Sequence, residues 1–166
     1  MYSQITAIRR ALPSDAALLA SLIRNSHRDV AETYGLTWEN CPTHPSNCTP
    51  HWIETDYKKG ISYFIQMESG IPVGCVAIEK ADDKLYYIER LSVLPNHRRR
   101  GFGHNLMAYG IQKIKQSGGE RISVAIIARN TSLKRWYLKM GFTEKETRSI
   151  EHLPFDVTFL VFTIGC

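Results

Sequence analysis

The sequence predicts an α/β fold, a single mixed sheet with helices packed on its faces. Three observations predict it. The apolar period switches back and forth between that of a strand and that of a helix, in the order strand, helices, three strands, helix, strand, helix, two strands. Two tight turns, Glu68-Ser69-Gly70 and Ala81-Asp82-Asp83, join neighbouring strand patterns and imply an antiparallel meander. After the meander, strands and helices alternate.

Ile5 to Ala11 reads as the first strand. Pro13-Ser14-Asp15 opens a helix, with Ser14 or Asp15 as cap and Leu18, Leu19, Leu22 and Ile23 as its apolar face. The pattern fails near Tyr34-Gly35. Residues 37–51 are rich in Pro, Asn, Thr, Cys and His and read as a loop. Thr49-Pro50 then caps and starts a short helix that runs to Gly60. Strands are expected over Ile61–Met67, Ile71–Glu79 and Lys84–Leu94. A helix begins near Gly101 and ends at Gly118-Gly119. Arg121–Ala128 is an apolar strand, expected to be buried on both faces. Asn130 caps a last helix with a Leu133, Trp136, Tyr137 and Met140 face, and Gly141 stops it. Phe142–Ile150 and Phe155–Ile164 close the sheet.

At 166 residues the chain fits one domain, 1–166. No apolar run has membrane-spanning length, and Met1 to Leu12 has no signal core, so a cytoplasmic location with no membrane partner is expected. Four cysteines without a secretory signal argue for reduced thiols. The net charge of +5 permits nucleic acid, but the arginines cluster at one turn rather than over a face, which suits a small polyanion. No nucleic-acid partner is expected.

That turn lies within Glu89–Ile111. Leu91, Val93 and Leu94 end a strand, Arg98-Arg99-Arg100-Gly101-Phe102-Gly103 turns, and Leu106, Met107, Gly110, Ile111 and Ile114 form a helical face. A glycine-rich turn at a helix start offers unpaired N–H groups to an anion, and arginine adds charge. It is not a P-loop, lacking Gly-Lys-Ser/Thr, and not a dinucleotide fingerprint, lacking a third glycine at position 106.

Arg98-x-x-Gly101-x-Gly103, with Leu91-Ser92-Val93-Leu94-Pro95 before it, resembles the Q/R-x-x-G-x-G/A signature of the GNAT (Gcn5-related) N-acetyltransferases. Asn130, Leu133, Trp136-Tyr137 and Gly141-Phe142 resemble that family's second block. Arg99 stands where many members carry glycine. The resemblance implies a GNAT-like acyl-CoA N-acyltransferase fold with splayed central strands. It implies acetyl-CoA as co-substrate and transfer of acetyl to a primary amine, on a small molecule or peptide, by direct attack. Leu91, Ser92, Val93, Arg98, Arg99, Arg100, Gly101, Phe102, Gly103, His104, Asn130 and Tyr137 are then the residues expected around the cofactor. The Val93 N–H would polarise the thioester carbonyl. Glu89 would be the base acting through water, or else a strand glutamate paired with a basic neighbour. A base is needed because an alkylammonium with a pKa of ~10.4 is protonated at neutral pH. Tyr137 would protonate the leaving thiolate, or else be a core tyrosine. The competing class is a CoA-binding sensor module without transfer activity.

Cys41-x-x-His44-x-x-x-Cys48-x-x-His51 has zinc-ligand residue types but not the usual paired halves, and its prolines already explain a rigid loop. No metal is expected. The resemblance instead puts this segment beside the acceptor, so Tyr34, Trp38, Glu39, His44 and His51 are candidate acceptor residues, with Asp56 and His152–Phe155 nearby. Glu39, Glu54 and Asp56 would permit a cationic acceptor. Cys75 reads as a small core residue, and a ping-pong nucleophile there has no histidine beside it in sequence. Cys166 is terminal. The apolar strand from Val157 to Ile164 could pair across a homodimer.

Overall fold

The computed structural model describes residues 6–165. A seven-stranded mixed sheet has the order β1-β2-β3-β4-β5-β7-β6. The strands are β1 (Thr6–Arg10), β2 (Ser62–Glu68), β3 (Ile71–Lys80), β4 (Leu85–Val93), β5 (Arg121–Ile127), β6 (Thr143–Ser149) and β7 (Asp156–Thr163). The helices are α1 (Ala16–Tyr34), α2 (Pro50–Lys58), α3 (Phe102–Gln116) and α4 (Thr131–Lys139). The meander β2-β3-β4 is antiparallel, as the turns predicted, and β4 pairs with β5 in parallel. Ile5 and Cys166 lie outside the described residues.

Local chemistry sets the helix ends. The Asp15 carboxylate reaches back to accept from the Leu12 N–H at 2.7 Å and takes both Arg9 nitrogens, so Asp15 rather than Ser14 organises the entry to α1. Gly35 closes α1 in the left-handed conformation, with φ 63°. Thr49 and Asn130 cap α2 and α4 through their side chains, as expected.

Two cores form. α1 and α2 bury Leu19, Ile23 and Ile53 against Tyr63, Ile65, Cys75 and Ala77 on one face of β2 and β3. α3 and α4 cover the other face, where Leu106, Met107 and Ile114 meet Val76, Ile88, Ile122, Val124 and Leu160. Each such fully buried side chain contributes about 1.5–3 kcal/mol. α1 and α2 stop at the β4 edge of their face, so the half-sheet β5-β7-β6 is bare on that side. This corrects the expectation for β5. Ile122, Val124 and Ile126 are buried, but Arg121 and Ala125 are exposed, so the strand alternates over most of its length, and only Ile127 at its end is buried on the second face.

β7 lies between β5 and β6 and is paired on both sides. It therefore has no edge to offer a second copy, and the expected pairing through Val157–Ile164 does not fit. Among the described residues no helix is long and apolar enough to cross a membrane.

β4 carries an extra residue relative to β3. Ala77 pairs with Glu89 and Cys75 with Ser92, and Arg90 sits in the left-handed region with φ 50°. The bulge changes which residues face which core. Tyr86 and Ile88 point to the α3 side before it; Leu91 and Val93 point there after it. Arg90 is held on the α2 side. Its Nη1 donates to Asp56 Oδ2 at 2.5 Å and to the Tyr63 hydroxyl at 2.6 Å, Tyr63 donates to the same Asp56 oxygen, and the Trp52 ring lies 5.5 Å below the guanidinium. Gly74, paired with Val93, lets the strands close beyond the bulge, since a Cβ there would lie 2.4 Å from the Ser92 carbonyl. Removing the buried counter-charge is costly. Asp56→Asn should lower the unfolding free energy by about 3–5 kcal/mol, read from urea titrations.

Candidate functional site

β4 and β5 pair only at Leu85–Arg121, Tyr86–Ile122 and Tyr87–Ser123. Past Tyr87 they diverge, because β5 follows β7 along its whole length while β4 follows β3. Two cavities open at this gap. One, of about 610 Å³, lies on the α3 and α4 side. The other, of about 330 Å³, lies on the bare face.

The larger cleft is lined by Leu91, Val93, Arg98, Arg99, Gly101, Phe102, Gly103, His104 and Asn130, all expected cofactor residues. At its floor, the Leu94 N–H donates to Val73 on β3 at 2.9 Å. Strand alternation then turns the Val93 N–H the other way, toward the splay. At the far end α3 begins on Gly101, with φ 86° and no side-chain cap, so its first N–H groups are left for a ligand. Arg99 is also left-handed, with φ 61°. That explains why glycine suits the position.

The three arginines have different tasks. Arg98 lines the cleft, but its guanidinium is committed to the protein: Nε donates to the Val93 carbonyl at 3.1 Å, and the terminal nitrogens reach Asp29 and the Ser26 carbonyl. It ties the end of β4 to α1. Arg100 turns away from the cleft to a bidentate pair with Glu68 and lies 5.1 Å over the Phe102 ring, which corrects its expected place at the phosphates. Among the described residues, no ion pair holds Arg99. Ser92 is a second correction. It is buried on the opposite face, where it bonds His27 Nε2 at 3.1 Å and donates to the Arg90 carbonyl.

His27, Ser26, Asp29 and Val30 of α1 also line the cleft, and the sequence reading missed them. Burial, with His44 and Arg98 nearby, pushes His27 down to about 4, so it is neutral. No motif marks these residues. They reach the site only because Arg98 and Ser92 dock α1 against the end of β4.

Tyr137 lies in the core below α4, edge-on to Trp136 and Phe142, and is not among the residues lining the cleft. Burial raises its pKa above the ordinary tyrosine value, so it stays protonated. Among the described residues no hydrogen bond engages its hydroxyl.

The smaller groove is lined by Tyr87 and Glu89 of β4, Arg121, Ser123 and Ala125 of β5, Lys145, Glu146 and Arg148 of β6, and Phe159 and Val161 of β7. Glu89 is half-buried. Burial first, then the neighbouring Glu79 carboxylate, push it up to about 7, against the pull of Arg90. A carboxylate in that range can accept a proton near neutral pH.

The loop residues proposed for the acceptor are not brought to this groove. Tyr34 lies under the Arg129 guanidinium at 5.3 Å. Trp38 is 61 % exposed, and Glu39 is also on the surface. His44 is buried and bonds Ser46 through Nδ1, capping a turn. His51 is exposed, 3.9 Å from Glu54. None of the five lines either cavity. Asp56 serves Arg90, and His152 is exposed beside Glu151. Cys48 and Cys75 are buried thiols raised by burial, to about 11 and about 12, poor settings for a nucleophile. Among the described residues no group of His, Cys, Asp and Glu could hold a metal ion.

The sequence profile of the Acetyltransferase (GNAT) family matches residues 28–142. The GCN5-related N-acetyltransferase 6, chloroplastic, of Arabidopsis thaliana is 29% identical over 109 residues, which span 62% of this chain and 38% of that protein. The chain thus spans well under half of that relative's length. Among solved structures, the ribosomal-protein-S18-alanine N-acetyltransferase of Escherichia coli superposes with a TM-score of 0.77 at 14% identity, covering 98% of this chain and 96% of the other. The PaiA N-acetyltransferase of Thermoplasma acidophilum, solved with coenzyme A, gives 0.76 at 15% identity over 96% and 99%. The yncA protein of Salmonella typhimurium, solved with acetyl-CoA, gives 0.69 at 19% identity over 96% and 94%. At these identities the likeness is one of fold.

Folding raises the Glu89 pKa, so the native state holds this proton more tightly than the unfolded chain. Stability from this group is full below the ordinary 4.5 and falls as pH rises through about 7. Glu89→Gln should therefore gain thermal stability over the native chain between pH 5 and 8, with the gap closing at pH 4, as followed by melting curves.

Proposed function

This chain belongs to the GNAT acetyltransferase family, and from that premise we propose that it moves an acetyl group from acetyl-CoA to a primary amine by direct attack in a ternary complex. The observation that carries the reading is the Arg90 bulge at the splay of β4 and β5. It aims Glu89 into the smaller groove and Leu91 and Val93 into the larger cleft, so a base and an N–H donor flank one gap.

The cleft fits CoA. The uncapped start of α3 at Gly101–His104 and the Arg99 side chain would hold the pyrophosphate. The exposed backbone edge at Leu91 and Val93 would hold the pantetheine arm as an added strand, with Asn130 on the opposite wall. When bound, the group supplies an acetyl thioester, an acyl donor that needs no further activation. The Val93 N–H would donate to the thioester oxygen as negative charge develops there, and the Arg98 bond to the Val93 carbonyl, in the adjoining peptide, holds the strand end beside it. Glu89 takes the ammonium proton through water once it is itself ionised. Tyr137 keeps its proton, and among the described residues its hydroxyl has no competing partner. It lies in the core outside the cleft lining, so its service as acid to the departing sulfur requires that the hydroxyl reach the cleft when CoA binds. The raised and buried thiol of Cys75 favours direct attack over an acetyl-enzyme.

Acetyl transfer should rise with pH through an inflection near 7 that belongs to Glu89. Glu89→Gln should remove that inflection and shift activity to higher pH; an unaltered profile assigns the base elsewhere. Tyr137→Phe should lower kcat by about 10²-fold while the Kd for acetyl-CoA, measured by calorimetry, moves little. Equal rates would take the acid role from Tyr137.

A further inference from the structure

The groove beside Glu89 has a charge pattern that says what else the amine carries. Its lining holds three cations, Arg121, Lys145 and Arg148, against two carboxylates, Glu89 and Glu146. Glu89 is reserved for the ammonium end, which leaves the rest of the groove cationic. Arg148 is stacked 4.7 Å over the Phe159 ring and its Nε is 3.8 Å from Glu146 Oε1, so it is oriented without being fully neutralised. Among the described residues no ion pair holds Arg121 or Lys145, and both are exposed on the bare face. A polyamine would set a second ammonium against these groups and be repelled. A small anion on the acceptor would instead meet one or more charge-assisted donors. The cavity of about 330 Å³ limits that acceptor to a small molecule or the end of a peptide.

We propose that the acceptor is a small amine carrying its own anionic group, a carboxylate or a phosphate, with the ammonium at Glu89 and the anion toward Arg148, Arg121 and Lys145. The assignment rests on the transferase reading given above. It requires no chemistry beyond that reaction: the amine nitrogen forms the new C–N bond, the C–S bond of the thioester breaks, and the ammonium nitrogen gives up two protons, one to Glu89 through water and one balanced by the proton that the departing sulfur gains. The anion stays unreacted and serves as the handle.

The test is CoA-thiol release with acetyl-CoA and a matched panel. Free amino acids are set against their carboxamides, aminoalkyl phosphates against the corresponding amino alcohols, and spermidine against both. The carboxamides are the more easily deprotonated amines, so preference for the free acid cannot come from easier loss of the ammonium proton. Free acids or phosphates should exceed their neutral partners by roughly tenfold or more in kcat/KM, mainly through KM, and spermidine should be poorest. The two anion arms identify which handle is used. In Arg148→Glu and in Arg121→Glu/Lys145→Glu the preference ratio should fall toward one, and melting curves establish that each variant is folded. Equal turnover of charged and neutral partners, or preference for spermidine, overturns the anionic-acceptor assignment and leaves acetyl transfer standing. Release with no amine in a protein that binds acetyl-CoA overturns the transferase reading itself.

Discussion

One strand is a residue too long for its neighbour, and the site depends on how that surplus is absorbed. A strand shows alternate residues to opposite faces, so Glu89, Leu91 and Val93 would all look the same way in a regular β4. The surplus at Arg90 breaks the alternation. Glu89 is delivered to the bare face, and Leu91 and Val93 to the face covered by α3 and α4. A left-handed arginine costs about 1–3 kcal/mol of backbone energy. The Asp56, Tyr63 and Trp52 contacts, together with a β3 glycine that lets the strands close, hold it there. Asp56 and Tyr63 come from α2 and β2, elements that touch neither cavity. Their part in function is to keep a kink in a strand some distance from themselves.

Electrostatics then separates the two cavities. The cleft is walled by α1 and α4 and floored by backbone, and its exposed arginine is Arg99. Arg98 and Arg100, neighbours in sequence, are spent on Asp29 and Glu68 and act as ties between elements. The half-exposed Arg98–Asp29 pair stabilises little by itself, about 0–1 kcal/mol, so the Arg98 bonds to two backbone carbonyls matter more for geometry than for charge. The groove is the opposite case. Its cations stay in solvent while the carboxylate at its inner end is partly withdrawn from it, and that burial, with the Glu79 carboxylate beside it, lifts the Glu89 pKa.

The donor half of the site was legible because its chemistry is local. A strand end, a glycine turn and a helix start occupy consecutive residues, so Leu91 to His104 could be read in one pass, and cap residues such as Thr49 and Asn130 announce themselves within three positions. What was not legible depends on long-range pairing. Nothing near Arg100 in sequence indicates Glu68, 32 residues away, and nothing near Arg98 indicates Asp29, 69 away. β5 looked like a strand covered on both faces because Ile122, Val124, Ala125, Ile126 and Ile127 are all apolar; only the reach of α1 and α2 shows that one face is bare. The bare face, and with it the groove, was therefore not legible, and the Cys- and His-rich loop, which the resemblance put beside the acceptor, has residues that cap, pack or lie in solvent.

The border strand β6 gains meaning from its position. It is the last strand of the sheet, exposed at all seven residues, and its free backbone edge is a template on which another chain could grow. Its sequence, Thr-Glu-Lys-Glu-Thr-Arg-Ser, answers that hazard with charge of both signs. Lys145, Glu146 and Arg148 therefore serve two ends at once, one wall of a groove and the guard of an unpaired edge. Selection on this strand is thus doubly bound. If the groove takes the acceptor as proposed, a drift toward an apolar one, achieved by stripping those charges, would expose a sticky sheet border, so colloidal behaviour would bound the range of substrates as well as fit.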